Sequence, residues 1–423
     1  MALLIGVFLV FLLLNMPIAF ALLIAPTTYL LVDPLVPYKM LAQQMFNGVD
    51  SFVYLAVPFF ILSGMLMQYG GISKRLVDFS SALLDRFIGG LAMAVSLAAA
   101  IFASITGSGP ATTAAIGGAI LPELVERGYG KEWSVALMAS AGVLGPIIPP
   151  SITMVIYGAM TGTSIGALFL GGFLPGITIS IGLMVISYFH AKKVGVGKAV
   201  KSRSITIGKS LIDALWALGM PFLILGGILG GIFTPTEAAV VATVYALIVC
   251  FVVYGSLKVQ DLPRIFKEAA VITSVVMIIL ANAATFAWLM SALRGPEKLI
   301  SLFYSISDNT VVLLLLINIF LLILGCFIDT SSALVMTVPA FMPLIQKMGV
   351  DPVHFGLIVC INLIIGMATP PLGITLFTAC SIGKVPISKV AEPLLPMLAI
   401  MIFVLFIVTY VPSFVLFLPK LLM

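Results

Sequence analysis

The sequence predicts an all-α polytopic membrane protein made of two inverted repeats, each with a re-entrant helical hairpin and a broken helix. Three observations predict it. Of the 423 residues, 61% are apolar and 9% charged, with mean hydropathy +1.25, whereas a soluble domain carries roughly 25% charged residues. The apolar runs lack the two-residue alternation of a membrane β-barrel strand. A pattern of glycine and proline also recurs 221 residues further on, across apolar stretches too short to span alone.

A spanning helix takes about 20 apolar residues. Met1 to Val32 is apolar, and the first basic residue is Lys39. Without a charged start the run reads as a retained helix rather than a cleaved leader. The stretch 190–209 holds Lys192, Lys193, Lys198, Lys201, Arg203 and Lys209 and no acid. The positive-inside rule makes it cytoplasmic. The net charge of +5 thus lies in short loops, which argues for a lipid bilayer as partner and against nucleic acid. Cys250, Cys326, Cys360 and Cys380 have no CxxC spacing, and His190 and His354 stand apart. Neither a metal cluster nor a disulfide framework is expected.

A shift of 221 lays Pro122 on Pro343, Gly145 on Gly366, and Pro149-Pro150 on Pro370-Pro371. Of the 14 Gly or Pro residues between 122 and 175, 8 find a Gly or Pro partner, where chance gives about 3. The basic stretch is the seam: residues 1–190 form the first repeat, 191–209 a linker and 210–423 the second repeat. The repeat alone does not say whether the halves are parallel or inverted; the inverted plan that secondary transporters often use needs an odd number of crossings per half. A cytoplasmic seam then leaves the N-terminus periplasmic.

Backbone polar groups inside a bilayer must be satisfied, so interrupted helices persist only against protein or a wet cavity. Four interruptions occur, in pairs. Ser104 to Thr113, within a hairpin near 91–121, has its counterpart in Gly325 to Ser332, within a hairpin near 311–345; Ser108 falls on Asp329. Gly142 to Ser151 breaks a helix near 134–160, and Gly366 to Gly373 breaks one near 354–380. Proline pairs cannot continue a helix. Carbonyls freed at such breaks can hold a monovalent cation, and the following helix N-termini can hold a carboxylate. Glycine and proline also serve as packing notches in membrane helices, but four paired breaks favour a site. Asp329 is an acid within an apolar segment, where function is the default expectation; the plainer role for it is a helix cap. Glu237, after Thr234-Pro235, reads as part of a helix N-terminus.

The motifs Ile105-Thr106-Gly107-Ser108-Gly109-Pro110-Ala111-Thr112, Gly145-Pro146-Ile147-Ile148-Pro149-Pro150-Ser151, Phe233-Thr234-Pro235-Thr236-Glu237-Ala238 and Ala368-Thr369-Pro370-Pro371-Leu372-Gly373 together carry a resemblance over nearly the whole chain. It resembles the large membrane subunit of TRAP (tripartite ATP-independent periplasmic) transporters of the C4-dicarboxylate and organic-acid type. The resemblance implies a bacterial inner-membrane, Na⁺-driven symporter with an elevator motion. It also implies a small four-helix membrane subunit and a periplasmic substrate-binding protein that delivers an organic acid. Na⁺ is then expected around Gly107, Ser108 and Gly109 with Gly142 and Gly145, and around Asp329, Thr330, Ser331 and Ser332 with Gly366 and Thr369. Substrate is expected between the tips, near Thr112, Ser151, Thr153 and Thr375. No Lys or Arg occurs in either tip or either Pro-Pro segment, so the acid must rely on hydroxyls, helix N-termini and bound Na⁺. A stand-alone Na⁺- or H⁺-coupled dicarboxylate carrier is the alternative within transport. An intramembrane protease is the alternative beyond it, and it lacks a base near Gly107-Ser108-Gly109.

Overall fold

The computed structural model describes residues 1–14, 16–32, 37–196 and 207–423. Asn15 and the basic residues Lys198, Lys201 and Arg203 lie outside them. All regular structure among the described residues is helical. Eight helical segments there are long and apolar enough to cross a bilayer, among them Phe52–Tyr69, Ile165–Val194, Pro235–Val253 and Val259–Ala292.

The apolar stretch from Met1 to Val32 departs from the single helix expected. It forms two helices of 12 and 15 residues, Ala2–Leu13 and Ile18–Val32, packed on each other. Pro17 explains the break: a proline has no N–H to donate and its ring clashes with the preceding turn. Its own carbonyl accepts from Phe20 N at 2.9 Å and opens the second helix.

One order of elements occurs twice. The amphipathic helix Ile72–Leu84 precedes a first hairpin, Gly90–Thr106 and Gly109–Glu126; a helix interrupted between Gly142 and Ile152; and the long helix Ile165–Val194. The amphipathic helix Gly295–Ile306 precedes a second hairpin, Thr310–Phe327 and Thr330–Met348; a helix interrupted between Gly366 and Ile374; and the helix Ile387–Tyr410.

The helix Ile165–Val194 has 30 residues, so it runs about 45 Å and serves as a ruler. At its C-terminal end lies the base of the first hairpin: His190 Nε2 pairs with the Tyr129 carbonyl at 2.9 Å, and Gly89 packs on Ala191. At its N-terminal end Gly166 faces Met423, and Gly171 meets the Val415 carbonyl. The base of the second hairpin is at this end, where Tyr410 donates to the Val311 carbonyl at 3.1 Å and Tyr157 to the Pro352 carbonyl at 2.8 Å. The two hairpins therefore enter from opposite ends of the molecule.

A second body frames them. Thr236, Thr243 and Cys250 donate to the carbonyls of Phe52, Phe59 and Leu66 at 3.3, 2.9 and 3.4 Å. The constant 184-residue separation means that Ala56–Tyr69 and Pro235–Ile248 run parallel and in register. Seven residues are two helical turns, so the three donors share one face. Glu237 completes a capping box: its carboxylate accepts from Thr234 N at 2.8 Å, and the Thr234 hydroxyl accepts from Glu237 N at 3.3 Å. That is the helix-start role its sequence context suggested.

Candidate functional site

The first hairpin turns at Gly107, whose φ of 61° is the left-handed conformation that costs glycine nothing. A side chain there would also meet the Pro150 carbonyl at 2.6 Å. Ser108 caps the second arm, its hydroxyl accepting from Ala111 N at 3.5 Å. Asp329 holds the same place in the second hairpin. Its carboxylate accepts from Ser331 N at 3.0 Å, Ser332 N at 3.2 Å and the Ser332 hydroxyl at 3.4 Å. Capping carboxylates and helix dipoles favour one another.

Each tip is seated on a break. Gly145 lies against the Ser108 carbonyl and the Thr112 hydroxyl, and Gly142 against the Thr113 hydroxyl and the Gly109 carbonyl. Any larger residue at either position would push the tip away. Carbonyl and hydroxyl oxygens of the first tip thus crowd around the first break. In the second half, Gly366 packs directly on the backbone of Gly325, and Gly373 N reaches the Cys326 carbonyl at 3.4 Å. Thr375 folds the second break into a tight loop, giving both its N–H (3.0 Å) and its hydroxyl (2.7 Å) to the Met367 carbonyl.

Both tips line one cavity of about 550 Å³. Its polar side comes from Gly107, Ser108, Gly109, Thr153, Asp329, Thr330 and Ser331. Its apolar side comes from the framing helices, with Ile61 and Met65 on one and Val271, Ile272, Val275 and Ile279 on another. Pro17, at the unexpected N-terminal break, completes the rim. Asp329 is the one charged side chain on the wall among the described residues. Thr330 lies on this wall and is 3% exposed; its hydroxyl is buried and has no hydrogen-bond partner among the described residues. Such an orphan normally answers to a ligand or an ordered water.

The remaining residues singled out from sequence stand behind this wall. Gly142, Gly145, Ser332, Gly366 and Thr369 support the tips and breaks; Thr369 donates to the Ile365 carbonyl at 2.9 Å. Of the four residues expected near substrate, Thr153 alone lines the cavity. Thr112, Ser151 and Thr375 are fully buried with their hydroxyls engaged internally. Thr112 shares a bond with Thr106 at 3.1 Å, and Ser151 donates to the Pro146 carbonyl at 2.5 Å while capping Met154 N. They shape the backbone instead of facing the cavity. Neither histidine reaches the wall: His190 stacks on Trp133 at 3.9 Å and His354 pairs with the Val408 carbonyl at 2.8 Å.

Sequence reasoning missed Thr113 and a buried amide network. Asn362 donates to the Asn318 side-chain oxygen at 2.8 Å, and Asn318 donates to the Thr409 hydroxyl at 2.9 Å. This ties the second hairpin to the second broken helix and to Ile387–Tyr410. An amide in an otherwise apolar run was the available signal, since polar groups at that depth need partners.

Comparison with known proteins bears on this geometry. The family described as "Tripartite ATP-independent periplasmic transporter, DctM component" matches residues 5–414. The sialic acid TRAP transporter large permease protein of Vibrio cholerae is 39% identical over 96% of this chain and 95% of its own length. The C4-dicarboxylate TRAP transporter large permease protein of Pseudomonas aeruginosa is 39% identical over 90% of each chain. The isethionate TRAP transporter permease protein of Oleidesulfovibrio alaskensis is 40% identical over 97% of this chain, which spans 65% of that protein's length. These relatives are transport permeases, not enzymes. Among solved structures, the Alcanivorax borkumensis YdaH transporter, described as having an unusual topology, superposes with a TM-score of 0.57 at 15% identity over 89% of this chain and 88% of its own. That likeness concerns the fold.

Proposed function

This chain belongs to the DctM component family of tripartite ATP-independent periplasmic transporters, and on that premise we propose that it is the translocating subunit of a Na⁺-coupled organic-acid importer. The observation that carries the proposal is the shared cavity: two hairpin tips, entering from opposite ends, meet at one wall whose charged group is Asp329. The relatives' names speak of isethionate, sialic acid and C4-dicarboxylates, all organic anions. An anion beside Asp329, with no basic residue among the described wall residues, needs a cation. Na⁺ prefers oxygen ligands. The oxygens around Gly107 to Gly109, Gly142 and Gly145 offer one set, and Asp329 to Ser332 with Gly366 and Thr369 a second. The orphaned Thr330 hydroxyl fits such a role.

We read the two halves as inverted repeats with the seam in the cytoplasm and the N-terminus in the periplasm of the bacterial inner membrane. The hairpins and broken helices form the moving part. The parallel pair Ala56–Tyr69 and Pro235–Ile248 belongs to the scaffold, enlarged by the small four-helix subunit, and a periplasmic binding protein delivers the acid. An elevator motion then carries the tips and their cargo past the apolar scaffold wall. Acid affinity that depends on bound Na⁺ couples the two fluxes.

The test is uptake by proteoliposomes carrying both membrane subunits and supplied with the binding protein. An inward Na⁺ gradient should drive accumulation and an equal choline gradient should not. Equal uptake in both defeats the proposal.

A further inference from the structure

We propose that Arg75 holds the headgroup of an anionic phospholipid where the amphipathic helix Ile72–Leu84 meets the scaffold. That helix leaves Ala56–Tyr69 through Gly71, whose φ is 71° and around which space is open, and it leads into the first hairpin. Arg75 lies one turn beyond the glycine, half-buried. Its guanidinium stacks on the Tyr254 ring, 3.9 Å from the centroid. Tyr254 is itself held in place. Its N–H reaches back five residues to the Val249 carbonyl at 2.9 Å, and its hydroxyl donates to the Asp213 carbonyl at 2.8 Å. Widened turns of that kind recur at functional sites.

Stacking fixes the guanidinium plane but occupies none of its N–H groups. Arg75 forms no hydrogen bond or ion pair among the described residues. Arg264, at the same end of the scaffold, shows the contrast. It also lies over a tyrosine, Tyr69, at 5.2 Å, yet Glu268 takes its Nε–H at 2.9 Å. A planar fork of donors, held rigid and without an acceptor, matches the oxygens of a phosphate.

The surroundings select a lipid over a soluble anion. Lys74 adjoins Arg75, and Lys209, the last cation of the basic seam, stands one turn from Asp213 on the helix Ile207–Leu229; both lysines are exposed. In the topology proposed above this is the level of the cytoplasmic membrane surface, where such clusters attract anionic lipids. From there Ile207–Leu229 and Pro235–Ile248 run side by side into the bilayer, joined again where Tyr245 donates to the Trp216 carbonyl at 2.7 Å. Ile212 and Leu215 on the first, with Val244, Ile248 and Val252 on and just past the second, are exposed. They offer apolar surface for acyl chains below the headgroup.

The experiment follows thermal melting of the purified full chain in uncharged detergent while dioleoylphosphatidylglycerol or dioleoylphosphatidylcholine is titrated. The anionic lipid should reach half-effect at a concentration about fivefold lower, the factor one basic residue contributes near an anionic surface. In Arg75→Gln that ratio should fall towards one. In Arg86→Gln, an exposed arginine just past the far end of the same helix, it should persist. The ratio is taken within each protein, so a change in a variant's own melting temperature does not mask it. Equal half-effects in the unaltered chain, or an undiminished ratio in Arg75→Gln, overturn the inference. Full replacement of the lipid by glycerol 3-phosphate also overturns it, by making the site one for a soluble anion. So does an undiminished ratio in Arg75→Gln with loss of the small membrane subunit's binding, which makes the partner a protein carboxylate. None of these outcomes bears on Na⁺ coupling.

Discussion

Ser108 and Asp329 hold equivalent positions on opposite hairpins: each caps the second arm of its hairpin, and each faces the same cavity. One is a neutral hydroxyl and the other a carboxylate. That single difference gives an otherwise matched pair of tips distinct electrostatics, and the first prediction follows from it.

Asp329→Ala should raise the Na⁺ concentration for half-maximal uptake by at least about tenfold, a loss of about 1.4 kcal/mol of cation binding. It should also weaken the helix start by about 1 kcal/mol. Asp329→Asn keeps a cap while removing the charge, so its melting temperature should stay near that of the unaltered chain while its Na⁺ dependence still moves. An unchanged Na⁺ dependence in both variants would make Asp329 purely structural.

Gly145→Ala places a methyl against the Ser108 carbonyl and the Thr112 hydroxyl. The tip must shift, and uptake should fall by tenfold or more in protein that still inserts. Gly118→Ala, on the second arm of the same hairpin with open space around it, should leave uptake intact and add slightly to helix stability, by less than about 1 kcal/mol. Equal effects of the two would show that the seat of the tip on the break is not critical.

Asn362→Leu removes the donor to Asn318 inside the protein. Stranding a buried polar partner costs about 1–3 kcal/mol, so the melting temperature should drop. Asn318→Leu, which removes the partner itself, should drop it too, and the double substitution should cost less than the sum. Additive losses would mean the two amides do not act together.

Thr243→Val deletes one rung between Pro235–Ile248 and the Phe59 carbonyl. About 1 kcal/mol of stability should be lost with the Na⁺ dependence of uptake unchanged, because the proposed elevator motion puts this face in the scaffold. A shifted Na⁺ dependence would place that pair of helices in the moving part.

Much of this architecture was legible in the sequence because proline and glycine carry backbone meaning. Pro149-Pro150 and Pro370-Pro371 mark both helix breaks, and Gly107 marks the first turn. Asp329 stood out as an acid in an apolar stretch. Other features depend on what meets in space. Pro17 was visible, but that it folds two short helices onto each other and borders the cavity was not. Thr112, Ser151 and Thr375 carry hydroxyls at sensible spacings, yet a hydroxyl's direction is set by its nearest carbonyl, and theirs lie within the protein. The amide pair Asn318 and Asn362 is separated by 44 residues, and no local pattern links them.

Linkage supplies the sharpest test of the central claim. Radioactive sodium binding to the purified chain should tighten when the transported acid is added, and acid binding should tighten by the same factor when Na⁺ replaces choline. Equal acid affinity in Na⁺ and in choline, with sodium binding indifferent to the acid, would contradict a pocket built by both tips for cation and acid together.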